Sequence, residues 1–186
     1  MNFLATAVKQ FEYYKHLGDK TFEQVSDEAL FWQANDSNNS IALIVKHLWG
    51  NMKSRWTDFL NSDGEKSWRD RDSEFENDVT DRKIMLERWN EGWEILFQTL
   101  KSLNENDLEK VIYIRNQGHF VMEAILRQIA HYAYHVGQIV VLGKLRADDL
   151  QTLSIPKGNS KAYNAEKFAQ PKTKEHFTDE ILGKNE

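Results

Sequence analysis

Residues 121–145 read VMEAILRQIAHYAYHVGQIVVLGKL, and this stretch decides the fold. Its apolar residues recur at helical spacing, which predicts a long, buried helix from about Met122 to Leu145. His131 and His135 are four residues apart in it, so they lie on one face of the helix, about 6 Å apart along its axis. Two imidazoles in this arrangement can bind one metal ion, provided that a third ligand comes from elsewhere in the chain.

Three earlier segments also show the helical spacing of apolar side chains. They are predicted as helix one over residues 2–17, helix two over about Ile41–Leu60, and helix three over about Thr80–Leu103. Ser40 is a strong N-cap candidate for helix two, and Gly18 is a natural C-terminal stop for helix one. With helix four at about Met122–Leu145 and long crossovers between the helices, the sequence predicts an all-α four-helix bundle.

A short hairpin is predicted just before helix four. Val111–Ile114 resembles a strand, Gln117-Gly118 a tight turn, and His119–Val121 the return strand. After helix four the sequence is polar, carries both prolines and has little periodicity, which predicts a tail that is extended or partly disordered. The domain organisation is therefore a helical bundle over residues 1–155 and a polar C-terminal tail over residues 156–186.

Composition restricts the class of protein. The formal net charge is −5, which argues against a nucleic-acid binder, since such proteins are normally basic. No run of about 18 apolar residues and no signal-peptide core is visible, so we expect a cytoplasmic protein with no membrane partner. The sequence has no cysteine, which excludes disulfides, thiolate metal ligands and a cysteine nucleophile.

His47 is the candidate for the third metal ligand. It lies beside the apolar stripe of helix two, about two turns inside that helix. Three imidazoles on two core helices leave coordination positions open for water or substrate, which is typical of a catalytic metal site. A histidine pair at this spacing is also frequent on helix surfaces or as a satisfied core pair. Within an apolar helix, however, two unpaired buried imidazoles would be unfavourable, and this favours the metal site.

Two motifs and three shorter segments carry a family resemblance. The motifs are S-I-x5-H-L at residues 40–48 and H-x3-H-x-G-Q-I at residues 131–139. The segments are SRWTDFLNSDGEKSWRDRDSEF after His47, and SIPKG and AYNAE in the tail. With these features the chain resembles the DinB-like (damage-inducible) metalloenzyme superfamily, and one uncharacterised subfamily of it.

The resemblance implies a four-helix bundle, often dimeric, that binds a divalent metal through three histidines. Characterised relatives include bacillithiol S-transferases and mycothiol-dependent enzymes such as a maleylpyruvate isomerase. The long crossover after helix two, which bears Trp and Arg residues, departs from the better-known transferases. All three histidine positions of the motifs are present here, as His47, His131 and His135.

Two polar residues share a face with the candidate ligands. Gln138 is three residues after His135, so it is a candidate for orienting either a metal ligand or the substrate, although a purely structural role fits equally well. Asn51 is four residues after His47 and is a weaker candidate for the same role.

The crossover supplies further charged candidates. Arg69 and Arg71 are able to bind an anionic substrate if the crossover folds over the mouth of the site. Local pairing with Asp70 and Asp72 is the favoured interpretation. His119 is on the hairpin rather than on a ligand helix and is interpreted as structural.

The function predicted from these residues is that of a divalent-metal-dependent enzyme, either a thiol-dependent transferase or a hydrolase, acting on a small-molecule substrate. The ion is Zn, Ni, Fe, Mn or Co, all of which suit three imidazoles. Such an ion turns a water or a thiol into a nucleophile, and without cysteine any thiol must be a low-molecular-weight cosubstrate. The alternative is a non-catalytic metal-binding or helical interaction protein. We also expect a homodimer, mainly from the resemblance.

Overall fold

Helices make up most of the computed structural model, which describes residues 2–148, 150–151 and 155–182. The described residues form seven α-helices: α1 (Phe3–Phe22), α2 (Asp27–Phe31), α3 (Ile41–Trp56), α4 (Arg82–Ser102), α5 (Val121–Arg146), α6 (Ser160–Phe168) and α7 (Asp179–Leu182). One antiparallel sheet consists of β1 (Val111–Ile114) and β2 (Gln117–Phe120). Predicted helices one to four correspond to α1, α3, α4 and α5, in agreement with the all-α class.

Side-chain caps begin three of the long helices. Asn2 accepts from the backbone N–H of Ala5 at 2.9 Å, and Asp81 does the same for the first turn of α4. Ser40 accepts from the N–H of Leu43 at 3.2 Å, which confirms the predicted N-cap of α3. These oxygens satisfy backbone donors that have no partner within the helix.

Two predicted helix ends were wrong. Helix α1 continues through Gly18 to Phe22, because Gly18 is used for close packing against Trp89 and not for a left-handed stop. Helix α3 ends at Trp56 and not near Leu60, because the backbone becomes extended at the next residue and Asp58 then adopts a φ of 48°. The crossover after α3 is therefore longer than the sequence pattern indicated.

Aromatic side chains join the four long helices in the core. The ring of Phe11 in α1 has its centroid 6.1 Å from Trp56 of α3, 6.3 Å from Trp93 of α4 and 5.8 Å from Tyr132 of α5. All four side chains are fully buried. Helix α3 packs against α4 and α5, and α1 packs against the same two helices, so every long helix has two long neighbours. The burial of such large rings contributes much of the apolar stabilisation.

Two hydrogen bonds set how α3 meets α5. The indole N–H of Trp56 donates to the hydroxyl of Tyr132 at 3.0 Å, and that hydroxyl donates to Oδ1 of Asn51 at 3.0 Å. All three groups are buried, so each one needs its partner. His131 directly precedes Tyr132, and His47 is one turn before Asn51. These bonds therefore set the position of His131 on α5 relative to His47 on α3.

The predicted hairpin is confirmed, but its turn lies two residues earlier than expected. Ile114 pairs with Gln117, so Arg115 and Asn116 form the turn, with φ of 55° and 60°. Two consecutive residues in the left-handed region are typical of a type I′ hairpin turn. The carboxylate of Asp63 accepts from both backbone N–H groups at 2.8 Å, which stabilises this conformation without a glycine.

The C-terminal segment is helical in two places, so the prediction of an extended tail was wrong there. Helices α6 and α7 are joined through Glu180, which accepts from Tyr163 at 2.8 Å and pairs with Lys167 at 2.7 Å. Phe177 stacks edge-on against Tyr13 of α1 at 5.3 Å. The predicted domain boundary at residue 155 directly follows residues 152–154, which lie outside the described part of the chain. Among the described helices, none has the length and apolarity to cross a bilayer.

The contact between Gly18 and Trp89 predicts a stability effect. A Cβ at position 18 would lie 2.7 Å from Cη2 of Trp89. That indole is 2% exposed and donates to Asp19 at 2.7 Å, so it has little freedom to move aside. We expect Gly18→Ala to lower the free energy of unfolding by about 1–3 kcal/mol, measured by urea denaturation.

The matched control is Gly137→Ala in α5, where an added Cβ meets nothing within 4 Å. Its free energy of unfolding should stay unchanged or rise by up to about 1 kcal/mol, since alanine is the better helix former. Equal stability of the two variants would contradict the packing described for Gly18.

Candidate metal centre

The structure brings the three candidate histidines together. His47 comes from α3, and His131 and His135 come from α5. One ligating nitrogen from each residue lies within 4.8 Å of the other two, and the Nε2 atoms of His47 and His131 are 3.3 Å apart. His47 is buried and the other two side chains are half-buried. The group is compatible with a metal site in which the ion faces the space between the two helices.

The donor set fits a divalent transition metal. Zinc–nitrogen bonds of about 2.0–2.1 Å place two tetrahedral nitrogen ligands roughly 3.3 Å apart. The Nε2 atoms of His47 and His131 are separated by this distance. All three ligating nitrogens lie within 4.8 Å of one another, so a modest movement of the side chains would bring them to bonding distance of one ion. Three imidazoles without a thiolate or carboxylate suit zinc, nickel, iron, manganese or cobalt.

Hydrogen bonds at Nδ1 orient two of the imidazoles. Nδ1 of His47 lies 2.8 Å from Oε2 of Glu74, and Nδ1 of His135 lies 2.9 Å from Oε1 of Gln138. An ionised carboxylate and an amide oxygen only accept, so each Nδ1 carries the proton and donates. The lone pair of each ring is then on Nε2, the atom that is left for a metal.

Burial keeps two of the histidines uncharged. It lowers the pKa of His131, together with the neighbouring rings of His135 and His47, to about 3. Burial also lowers the pKa of His135 to about 4, with a contribution from His47, while the hydrogen bond to Gln138 acts in the opposite direction. Both imidazoles are therefore neutral at pH 7, and neutral imidazole is the form that binds metals.

Asn51 does not contact a histidine directly. Its side-chain oxygen accepts from Tyr132, the residue after His131. Asn51 thus helps to hold α3 against α5 one turn away from the candidate ligands. His119 lies in β2 beside Arg127, with its Nε2 3.4 Å from the guanidinium, outside the group of three histidines.

Glu74 is the residue that sequence reasoning missed. It belongs to a short 3₁₀ helix, Ser73–Phe75, in the crossover between α3 and α4. Burial acts to raise the pKa of Glu74, but hydrogen bonds from His47 and Arg69 outweigh it and hold the pKa below its usual value. The carboxylate is therefore ionised. No spacing in the sequence relates it to His47, which is 27 residues away.

The predicted pairing of Arg69 with Asp70 and Asp72 was wrong. The guanidinium of Arg69 is 3% exposed and pairs with Glu74, whereas Asp70 and Asp72 are exposed. Asp70 instead accepts from the backbone N–H of Ser73 at 3.2 Å. A buried guanidinium needs a buried counter-charge, and adjacent residues on a solvent-exposed turn cannot supply one.

Phe75 covers the outer side of His47. The two rings are stacked, with centroids 5.0 Å apart and planes inclined by 27°. The guanidinium of Arg71, which belongs to the same crossover, lies 5.3 Å from the centroid of the Phe75 ring. The crossover therefore does fold over α3 at the level of the candidate metal centre.

A cavity of about 580 Å³ adjoins the centre. Loop residues 37–39, Ile44 of α3 and a row of α5 residues that includes Gln138 line it, and of the described residues in its walls none carries a formal charge. Gln138 also accepts from His135, so the cavity reaches the second layer of the centre. The three histidines themselves line neither this cavity nor two larger ones, of about 910 and 950 Å³, so its connection to the centre is the hydrogen bond from His135 to Gln138.

Fold and site together define a mostly helical protein with a three-histidine group suited to a divalent metal. Residues 1–159 match the family model described as Protein of unknown function (DUF1572). The match covers most of the 186 residues, so the chain belongs to this family, which is a DinB-like family. No curated protein and no solved structure gave a match. The DinB-like resemblance is thereby confirmed, whereas the relation to thiol transferases stays a prediction.

Proposed function

We propose that this chain is a divalent-metal-dependent enzyme in which the four long helices form a DinB-like four-helix bundle and His47, His131 and His135 hold the ion. The observation that carries the proposal is the convergence of three imidazole nitrogens from two helices within 4.8 Å. The Nε2 atoms of His47 and His131 lie 3.3 Å apart, and the rings of His131 and His135 are neutral, so a bound cation would satisfy lone pairs that point into this space.

The chemistry that supports an enzyme is Lewis acidity. A divalent ion in this position would ease the deprotonation of a water or thiol nucleophile and polarise a substrate. Three histidine ligands leave room at the ion for another molecule, as in catalytic rather than structural sites. Since the chain has no cysteine, a thiol nucleophile would be a small-molecule cosubstrate. A thiol-dependent transferase and a hydrolase both fit these properties.

The cavity beside the centre supports a small-molecule substrate. Its uncharged walls combine amides and a hydroxyl of the loop at 37–39 with apolar side chains of α3 and α5. Gln138 accepts from His135 through its oxygen, which leaves its amide N–H groups to donate to a substrate in the cavity. Such walls favour a substrate whose bound portion is neutral, with one hydrogen-bonding group and one apolar part.

Metal binding is the first test. Protein freed of metal by a chelator should take up one equivalent of zinc, nickel, cobalt or manganese, measured by titration calorimetry and elemental analysis. Metal at about 100 times its dissociation constant should raise the free energy of unfolding by about 2.7 kcal/mol. His131→Ala should remove both effects, while His119→Ala, which changes a histidine outside the group, should retain them. Failure of the wild type to bind any of these metals would disprove the centre.

Catalysis needs a separate test. Metal-loaded protein should turn over at least one substrate in a thiol-conjugation screen with bacillithiol, mycothiol and glutathione on electrophiles, or in a panel of hydrolase substrates. The same activity should disappear with chelator and return with metal. If the loaded protein is silent in both screens, the non-catalytic metal-binding interpretation is the better one.

We also propose a homodimer formed through α5. One side of this 26-residue helix carries exposed apolar side chains: Met122, Leu126, Tyr134, Val141 and Leu145. Tyr134 and Val141 also line the cavity, so a dimer formed here would enclose the cavity. Ala130, a small residue, lies among them on the same face. Exposed apolar side chains on one helix face are a feature of protein interfaces, and the exposed charges of Glu123 and Lys144 lie on the same face.

The oligomeric state tests that surface. Sedimentation at micromolar concentration should show a dimer for the wild type and a monomer for the double variant Leu126→Glu, Leu145→Glu, because burying two carboxylates against apolar surface is unfavourable. Ile84→Glu, at an exposed apolar position of α4, is the matched control and should remain dimeric. A monomeric wild type would rule the dimer out.

A further inference from the structure

Glu74, in the crossover between α3 and α4, places a buried carboxylate beside Nδ1 of His47. It is 4% exposed, and its Oε2 accepts from Nδ1 of His47 at 2.8 Å. A fully buried carboxylate is retained only where its partners offset the loss of hydration.

Arg69 holds Glu74 through a two-point pairing. Its Nε donates to Oε1 at 2.7 Å and its Nη2 donates to Oε2 at 2.9 Å. The remaining Nη1 donates to Glu65 at 3.2 Å, and the side chain of Arg69 is 3% exposed. A planar guanidinium that binds both oxygens fixes the direction of the carboxylate as well as its distance. Oε2 is thus shared between Arg69 and His47.

Gly50 provides the space for the carboxylate. It lies three residues after His47 in α3, and a Cβ there would come within 2.8 Å of Cδ of Glu74. A glycine inside a helix costs about 1 kcal/mol relative to alanine, so its presence calls for a local reason. The close approach of Glu74 to the helix is such a reason.

We propose that Glu74 is a positioning residue of the candidate metal centre. It fixes His47 as the tautomer protonated on Nδ1, with the lone pair of Nε2 directed toward His131 and His135, and it increases the donor strength of that nitrogen. Arg69 holds Glu74 in turn, and Gly50 lets it reach the ring. The inference rests on the proposed metal function, but its effect on the His47 tautomer exists without a metal.

The tautomer is tested first, in metal-free protein. Long-range proton–nitrogen correlation spectra of ¹⁵N-histidine protein should show His47 protonated on Nδ1 and bare on Nε2. Displacing the carboxylate with Gly50→Ala, which leaves every charge and ligand in place, should shift His47 toward protonation on Nε2. A wild-type His47 already protonated on Nε2 would overturn the inference.

Zinc affinity is tested next. Loss of a partner behind a metal-bound histidine weakens metal binding by about 10- to 100-fold, so Glu74→Gln and Gly50→Ala should raise the dissociation constant for zinc by that factor. Glu76→Gln makes the same chemical change two residues away on an exposed side chain and should leave the dissociation constant within about twofold. Far-UV circular dichroism shows whether each variant is folded. If Glu74→Gln does not fold, the affinity of Gly50→Ala is the test.

The outcomes separate the two proposals. Equal zinc affinity of wild type and of the folded Glu74→Gln or Gly50→Ala variant would overturn the positioning role while leaving the metal centre intact. A wild type that binds no zinc but has His47 protonated on Nδ1 would overturn the metal function, while Glu74 would still be shown to orient His47.

Discussion

The hydrogen bonds of the Tyr132 hydroxyl are the constraint on which the candidate site depends. One bond joins it to Trp56 and the other to Asn51, and both partners are on α3 while Tyr132 is on α5. Burial raises the pKa of Tyr132 well above its usual value, so the hydroxyl keeps its proton and continues to donate. An unpaired buried partner would cost about 1–3 kcal/mol, so sliding α3 along α5 is strongly disfavoured. His47 and His131 therefore stay adjacent, with their ring planes at 85° and their Nε2 atoms 3.3 Å apart.

The two sides of the candidate site differ in charge. On the side of the crossover, two buried guanidinium groups and two carboxylates form a network: Arg55 and Arg69 with Glu65 and Glu74. Removing one member would leave an uncompensated buried charge, so the network fixes its geometry more than it adds stability. On the other side, His135 donates to the neutral amide of Gln138, which lines a cavity with uncharged walls.

Local patterns in the sequence predicted the parts of the structure that depend on local forces. Apolar spacing located α3 and α5, and helical geometry placed His131 and His135 on one face. Local patterns failed at Gly18, because packing against Trp89 outweighs the local preference of glycine for a helix end. Glu74 was beyond prediction, since its contact with His47 depends on how the whole crossover folds. The polar tail misled for a similar reason, as Glu180 joins α6 to α7 through contacts that composition does not reveal.

The two oriented histidines differ in a way that bears on substrate binding. His47 donates to a carboxylate that Arg69 holds rigidly, so its ring has one orientation and a strong donor nitrogen. His135 donates to Gln138, whose amide also faces the cavity. A molecule in the cavity that accepts from the amide N–H groups of Gln138 would polarise the oxygen that accepts from Nδ1 of His135, and it would act on this ring and not on His47. The fold thus places a charged partner behind one imidazole and a neutral one behind another.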